Sequence, residues 1–323
     1  MRTSEHSGSD MERPTGLPTE LPGEILPRPA RSLDVRLRDG SVLVARQHGN
    51  PAGPRLFVSH GNGMAVDLYY PFWREFLDDF EVVVYDFRNH GWNPVSDLRR
   101  HRFASFVFDN ESLLDAVNEA WGGKPAYGAF HSMSAVTALL QGLRVGPRWA
   151  GLVLFDPPLS PPLGHSHEET FLTGIEMIAG RAEARQSAFS SYAEFEAVLR
   201  RAPLFDALEE EVYALYAAAT LRPGNAQGFE LRCPREYEAH IYRSNIDATI
   251  DFAMGAFPSP LKVIGGDPTR DNVAPPSVLC AELFPRWGVD YEPLAGTSHF
   301  LQLEAPQACA QATHQFFARL GAA

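Results

Sequence analysis

Cysteine is scarce in this chain: Cys233, Cys280 and Cys309 are the only three among 323 residues, and no two form a C-x-x-C pair. An odd count without paired spacing argues against a disulfide framework. The three read as small buried thiols of a reducing compartment. Also lacking is any run of the roughly 18 apolar residues that a membrane span needs. The first stretch, MRTSEHSGSDMERPTG, is polar and carries no apolar h-region of a secretory signal. A soluble, cytoplasmic protein is therefore expected. Neither sign of charge forms a long block, and 28 Lys+Arg stand against 40 Asp+Glu, a formal net charge of −12. That balance excludes an extended phosphate-tracking surface, which needs clustered cations, so no nucleic-acid partner is expected. G-x-G-x-x-G, Walker A and H-E-x-x-H motifs are all absent. No metal or organic cofactor is implied.

What is present is ample core material, 45% hydrophobic residues, arranged in an alternation of β-like and helix-like stretches. Residues 1–30 are poor in large apolar side chains and read as a disordered extension. From residue 31, LDVRLRDG and SVLVARQHG form a hairpin pattern with Asp39-Gly40 at the turn. RLFVSHG (55–61), EVVVYDFR (81–88), PAYGAFHS (125–132) and WAGLVLFD (149–156) follow as strands. Their near-continuous apolar character suits strands buried on both faces of a parallel sheet. Helices are predicted over 67–79, 105–120 and 133–143. Residues 157–258 break the alternation with helical periodicity and read as an insertion. It resumes with strands at 260–267 and 289–296, and helices near 276–286 and 305–319. Strand–helix alternation implies an α/β fold with both sheet faces covered.

Four short stretches carry the chemistry. Phe130-His131-Ser132-Met133-Ser134 sits where a strand turns directly into a helix. A serine there is lifted above the strand ends, and a helix N-terminus favours developing negative charge. Gly296-Thr297-Ser298-His299-Phe300 follows the last strand and brings a histidine suited to proton shuttling to the same rim. The loop from Asp267 to Pro276 offers carboxylates to orient that imidazole. Asp271 is preferred as the acid, with Asp267 and Asp156 as alternatives. His60-Gly61-Asn62-Gly63 ends the third strand, so the backbone amides of Asn62 and Met133 are expected to form an oxyanion hole. Taken singly, Ser132 reads equally well as a helix N-cap and His299 as a buried structural histidine. Their occurrence in the order Ser, Asp, His favours catalysis.

These stretches resemble the α/β-hydrolase superfamily in its capped esterase-like branch. The resemblance runs through HGNG (60–63), YDFRNHGWNP (85–94), FHSMS (130–134), GLVLFDPP (151–158), the D-x-x-x-P-P loop at Asp271 and GTSHFLQLEAP (296–306). It implies an α/β-hydrolase fold: a mostly parallel sheet of about eight strands, with a core of residues 31–156 and 259–323. A helical cap, 157–258, is expected after the sixth strand. It also implies that Ser132, His299 and an aspartate cleave a small-molecule ester or related acyl bond through an acyl-enzyme. One position departs from the family's Gly-x-Ser-x-Gly elbow: Phe130 stands where a small residue is usual, and Ser134 replaces the second glycine. Crowding by Phe130 motivates the alternative of a ligand-binding protein on a hydrolase scaffold. His131 is expected to point away from the site and pack. The aromatic stretch LYYPFW is read as core or pocket lining.

Overall fold

The structure is a computed structural model that describes residues 3–7, 26–224, 228–245, 250 and 257–322. Strand β1 is Thr3–Ser7, β2 Arg31–Arg36, β3 Val42–Gly49, β4 Arg55–Ser59, β5 Glu81–Tyr85, β6 Ala126–His131 and β7 Gly151–Phe155. Three short strands follow: β8 (Ala188–Phe189), β9 (Leu221–Pro223) and β10 (Phe229–Leu231). The series ends with β11 (Leu261–Gly266) and β12 (Asp290–Leu294). The α-helices are α1 (Tyr70–Trp73), α2 (Phe103–Trp121), α3 (Met133–Val145), α4 (Glu168–Ala184), α5 (Tyr192–Arg200), α6 (Glu210–Thr220) and α7 (Arg235–Ser244), then α8 (Pro275–Arg286), α9 (Leu301–Glu304) and α10 (Pro306–Arg319).

The main sheet runs β1-β2-β3-β5-β4-β6-β7-β11-β12. Pairings from β5 through β4, β6, β7 and β11 to β12 are parallel, whereas β1, β2, β3 and β5 pair antiparallel. The expected hairpin is β2–β3, closed by Gly40 at φ +85°. Every residue of β4, β5, β6 and β7 is buried, as strands covered on both faces must be. Alternate strand residues enter opposite cores. Phe57, Val83, Tyr85, Phe130, Leu152 and Leu154 pack with α2, α3 and α8. Leu56, Val82, Val84, Ala129, Val153 and Phe155 pack with α1 and α10.

Three expectations change. Thr3–Ser7, within the stretch read as a disordered extension, is a strand paired antiparallel with β2. The open edge of β2 offers unpaired backbone groups that an extended segment can bond whatever its side chains. Most of the rest of 1–30 lies outside the described residues. The helix predicted over 67–79 is a broken series: a 3₁₀ turn at Val66–Tyr69, the single turn α1 with Pro71 in its first positions, and a second 3₁₀ turn at Arg74–Phe76. Proline removes a backbone donor, and the aromatic side chains here are held by packing rather than by helical regularity. Tyr69, Phe72, Trp73 and Phe76 are all core residues. Finally, the segment between β7 and β11, read as a helical insertion, contains α4 to α7 and also a three-stranded sheet, β8-β10-β9. This insert touches the loops at the strand ends. Asn62 Nδ2 donates to Glu238 O (2.8 Å), Arg232 to Gly91 O (3.1 Å) and Tyr237 Oη to Ser96 O (2.6 Å).

Candidate active site

Ser132 stands between β6 and α3 with φ +53° and ψ −116°, a conformation few non-glycine residues adopt. The turn is held by Ser132 N donating to Phe155 O (2.9 Å) and by the helical bond from Val136 N back to Ser132 O (3.0 Å). Ser134 takes part as well. Its hydroxyl accepts from His131 N (2.9 Å) and donates to His131 O (2.8 Å). The serine that replaces the second elbow glycine thus satisfies both backbone groups of the strand's last residue, groups that would be costly to bury unpaired. Strain at Ser132 is held in place by these neighbours.

Phe130 does not crowd the elbow. Residues two apart on a strand share a face, and Gly128 leaves that face open. A Cβ built on Gly128 would lie 2.4 Å from Phe130 Cε2 and 2.7 Å from Leu152 Cδ2. The fully buried ring therefore lies back along β6, edge-to-face with Trp149 at 5.1 Å between centroids. Gly128, two residues earlier on the same face of β6, is the residue that accommodates Phe130.

His299 follows β12 and reaches Ser132. Its Nε2 lies 3.0 Å from Ser132 Oγ, and its Nδ1 lies 2.7 Å from Asp156 Oδ2. The expectation that Asp271 orients the imidazole is corrected. Asp271 is an exposed loop residue, whereas Asp156, fully buried at the end of β7, is the carboxylate on His299. The cause is sheet order. β7 lies between β6, which carries Ser132, and β11, so a residue leaving β7 is already beside the elbow. Asp156 also accepts from Ser277 Oγ (2.8 Å) and Gly266 N (3.3 Å), which fix the carboxylate for the imidazole. Asp267, the other alternative, staples two loops. It accepts from Gly296 N (2.8 Å) and from the Thr269 amide and hydroxyl, and these bonds hold its carboxyl down at about 2.

The 60–63 loop lies against the serine. A Cβ on Gly61 would come within 3.3 Å of Ser132 Cβ. Gly61 N donates to Tyr69 Oη (3.1 Å) and Gly63 N to His90 Nε2 (3.1 Å). Among the described residues, the amides of Asn62 and Met133 have no acceptor, and Met133 N belongs to the first turn of α3, where no intrahelical acceptor exists. Beneath the loop, Asp86 accepts from Val66 N (2.8 Å) and Trp92 N (3.1 Å), and Arg46 bridges Asp67 (2.6 Å) and Asp86 (3.6 Å). Hydroxyl, imidazole and carboxylate thus form one hydrogen-bonded chain beside two unspent backbone donors. Such a set can move a proton off an attacking oxygen and hold an anion.

His131 is not merely packed. Its ring bonds to Tyr69 Oη (2.6 Å) and to the His299 carbonyl (2.8 Å). Sequence reasoning missed Tyr69, Ser277 and this role of His131. Only contacts between segments distant in sequence reveal them.

His90, His101 and Cys233 bring three ligand-type atoms within 4.8 Å of one another, but their protons do not suit a metal. His90 Nδ1 donates to Arg88 O (3.0 Å), and its Nε2 is taken by Gly63 N. Asn89 Oδ1 accepts from the Ser96 amide and hydroxyl, so Asn89 Nδ2 donates to His101 Nδ1 (2.9 Å) and leaves the proton on His101 Nε2. Burial pushes the Cys233 thiol up, towards the protonated form.

Comparison with known proteins gives the wider setting. The profile described as "Alpha/beta hydrolase family" matches residues 48–312. Monoglyceride lipase of Homo sapiens is 27% identical over 147 residues, 45% of this chain and 46% of that protein, so the chain spans less than half the length of this relative. The solved structure of E-2-(acetamidomethylene)succinate hydrolase superposes with a TM-score of 0.70 at 18% identity, covering 89% of this chain and 98% of that one. A malate-bound thermophilic esterase from Thermogutta terrifontis gives a TM-score of 0.63 at 18% identity, covering 90% and 98%. At these identities the structural likeness shows the fold. No helix among the described residues is long and apolar enough to cross a membrane.

Proposed function

The chain belongs to the alpha/beta hydrolase family, and on that footing we propose that it hydrolyses carboxylic esters of small molecules through an acyl-enzyme on Ser132. The observation that carries this reading is the unbroken chain Ser132 Oγ, His299 Nε2, His299 Nδ1, Asp156 Oδ2, with links of 3.0 and 2.7 Å. The lipase and esterase among the similar proteins support the choice of an ester bond.

Asp156 accepts a hydrogen bond from the Nδ1–H of His299, which leaves the Nε2 lone pair facing Ser132. As Oγ attacks the carbonyl carbon, its proton passes to Nε2, and the imidazolium is stabilised by Asp156, which stays ionised. The carbonyl oxygen becomes an oxyanion held by the amides of Asn62 and Met133. Collapse breaks the ester C–O bond, and His299 gives its proton to the leaving alkoxide oxygen. A water then loses its proton to His299, attacks the acyl carbon and frees the acid, and the proton returns to Ser132. The insert between β7 and β11 serves as a cap over the strand ends and sets which acyl and alcohol groups fit. The competing reading, a non-catalytic binding protein, drew on crowding by Phe130, and with the ring seated over Gly128 that support is gone.

Initial rates on p-nitrophenyl butyrate test the proposal. Wild type should turn over, and Ser132→Ala should fall to the uncatalysed background with an unchanged melting profile. Full activity in that variant contradicts it.

A further inference from the structure

Three hydrogen bonds link the 60–63 loop to the loop that carries His299, without passing through the reacting atoms. Gly61 N lies 3.1 Å from Tyr69 Oη, Tyr69 Oη 2.6 Å from His131 Nδ1, and His131 Nε2 2.8 Å from the His299 carbonyl. Their proton arrangement follows from donor inventory. A carbonyl only accepts, so His131 Nε2 carries a hydrogen. The ring is 1% exposed, and burial holds it far on the neutral side. Nδ1 is then bare and accepts, so the single Tyr69 hydroxyl proton points at it. The hydroxyl oxygen is left to take the Gly61 N–H. Met64 Sδ, 3.0 Å from Tyr69 Oη, receives no proton in this arrangement and serves as packing.

Resting on the ester-hydrolase reading above, we propose that Tyr69 and His131 are positioning residues for the reaction, a neutral relay that holds the main chain of His299 in register with the oxyanion loop. Neither touches substrate. His131 is the residue before the nucleophile, so one residue ties the elbow, the general base and, through Tyr69, the oxyanion loop. The His131 and His299 rings lie 4.9 Å apart, and Tyr69 is fully buried beneath the loop. Catalysis of this kind depends on sub-ångström placement: a misplacement of about 1 Å costs on the order of a hundredfold in rate. A relay that sets the position of the base therefore acts on kcat and leaves KM alone.

The substitutions separate this from a mere packing role. His131→Leu removes both links. His131→Gln keeps an amide N–H near the position of ring Nε2, so it retains the bond to the His299 carbonyl. Tyr69→Phe keeps the ring but frees the Gly61 amide and His131 Nδ1. With p-nitrophenyl butyrate, His131→Leu should lose about a hundredfold in kcat with KM unchanged. His131→Gln should recover most of that loss, and Tyr69→Phe, which removes two buried hydrogen bonds but leaves the His131 bond to the His299 carbonyl, should lose about tenfold. Second-order labelling of Ser132 by a fluorophosphonate should fall in the same order, with every variant still labelled. Ser132→Ala runs alongside. If it keeps turnover, the hydrolase reading fails and the relay with it. If it is inactive while His131→Leu and Tyr69→Phe retain wild-type kcat, the relay alone is overturned. A folded His131→Gln that is no better than His131→Leu overturns it too.

Discussion

At the residue scale, the assignment of roles turns on which carboxylate faces His299. Asp156 bonds Nδ1 at 2.7 Å and is itself fixed by Ser277 and Gly266. Asp156→Asn keeps the shape but offers an amide where the imidazole must donate, which favours the wrong tautomer. Its kcat should drop by about 10⁴-fold. Asp271→Asn, in an exposed loop, should stay within about twofold of wild type. Steady-state kinetics of the two variants side by side checks both, and the opposite ranking would restore Asp271. Ser132 and His299 were legible in the sequence because a serine at a strand-to-helix turn and a histidine after the last strand are local patterns. The acid was not. Ser, Asp, His order fits Asp156, Asp267 and Asp271 alike, and only strand order in the sheet decides among them. Burial of a carboxylate leaves no mark in the sequence, and neither does the tautomer of His131.

At the scale of elements, the elbow shows how a strand and a helix absorb an unusual residue. Compared only with its neighbours in sequence, Phe130 threatens the turn. Its true neighbour is Gly128, on the same face of β6. Gly128→Ala places a methyl against a ring that Trp149 and Tyr85 also confine. The expected cost is ~1–3 kcal/mol, the range for overpacking a filled core, read from urea or guanidinium unfolding. A stability equal to wild type would show that the ring has another place to go. Strands β2 to β7, β11 and β12 and helices α2, α3, α8 and α10 were legible because their apolar periodicity is strong. The 66–76 segment was not. Its aromatic residues sit at helix-like spacing, yet Pro71 and tertiary packing break it into three short turns. The strands β8 to β10 have two or three residues each, too few to show alternation.

At the scale of the whole molecule, the sheet and the loops above it enclose buried neutral histidines. Burial lowers His48 to about 3, His60 to about 4 and His90 to about 3, and it also holds His101 and His131 well below the usual imidazole value. In each case the unfolded chain takes up a proton at a pH where the folded one does not, so stability rises with pH across that window. The contribution is complete above about 6.5 and is lost as pH falls from there towards the folded values. Two buried carboxyls act with the opposite sign. Burial raises Asp109 to about 6, against its Arg88 pairing, and also raises Glu238. Five histidines outweigh these two groups. Unfolding free energy should therefore fall between pH 6.5 and 4.5, by up to ~1.4 kcal/mol per pH unit for each net proton. Guanidinium titrations at several pH values measure this directly. A flat or inverted profile would mean that the histidines are hydrated or paired in solution.

The most direct test of the account is intact-mass analysis of the full chain after incubation with a fluorophosphonate, on wild type, Ser132→Ala and Asp156→Asn. The account predicts one phosphonyl adduct on wild type, none on Ser132→Ala, and a much slower adduct on Asp156→Asn. An unmodified wild type, or an adduct that survives in Ser132→Ala, would contradict the assignment of Ser132 as the activated nucleophile.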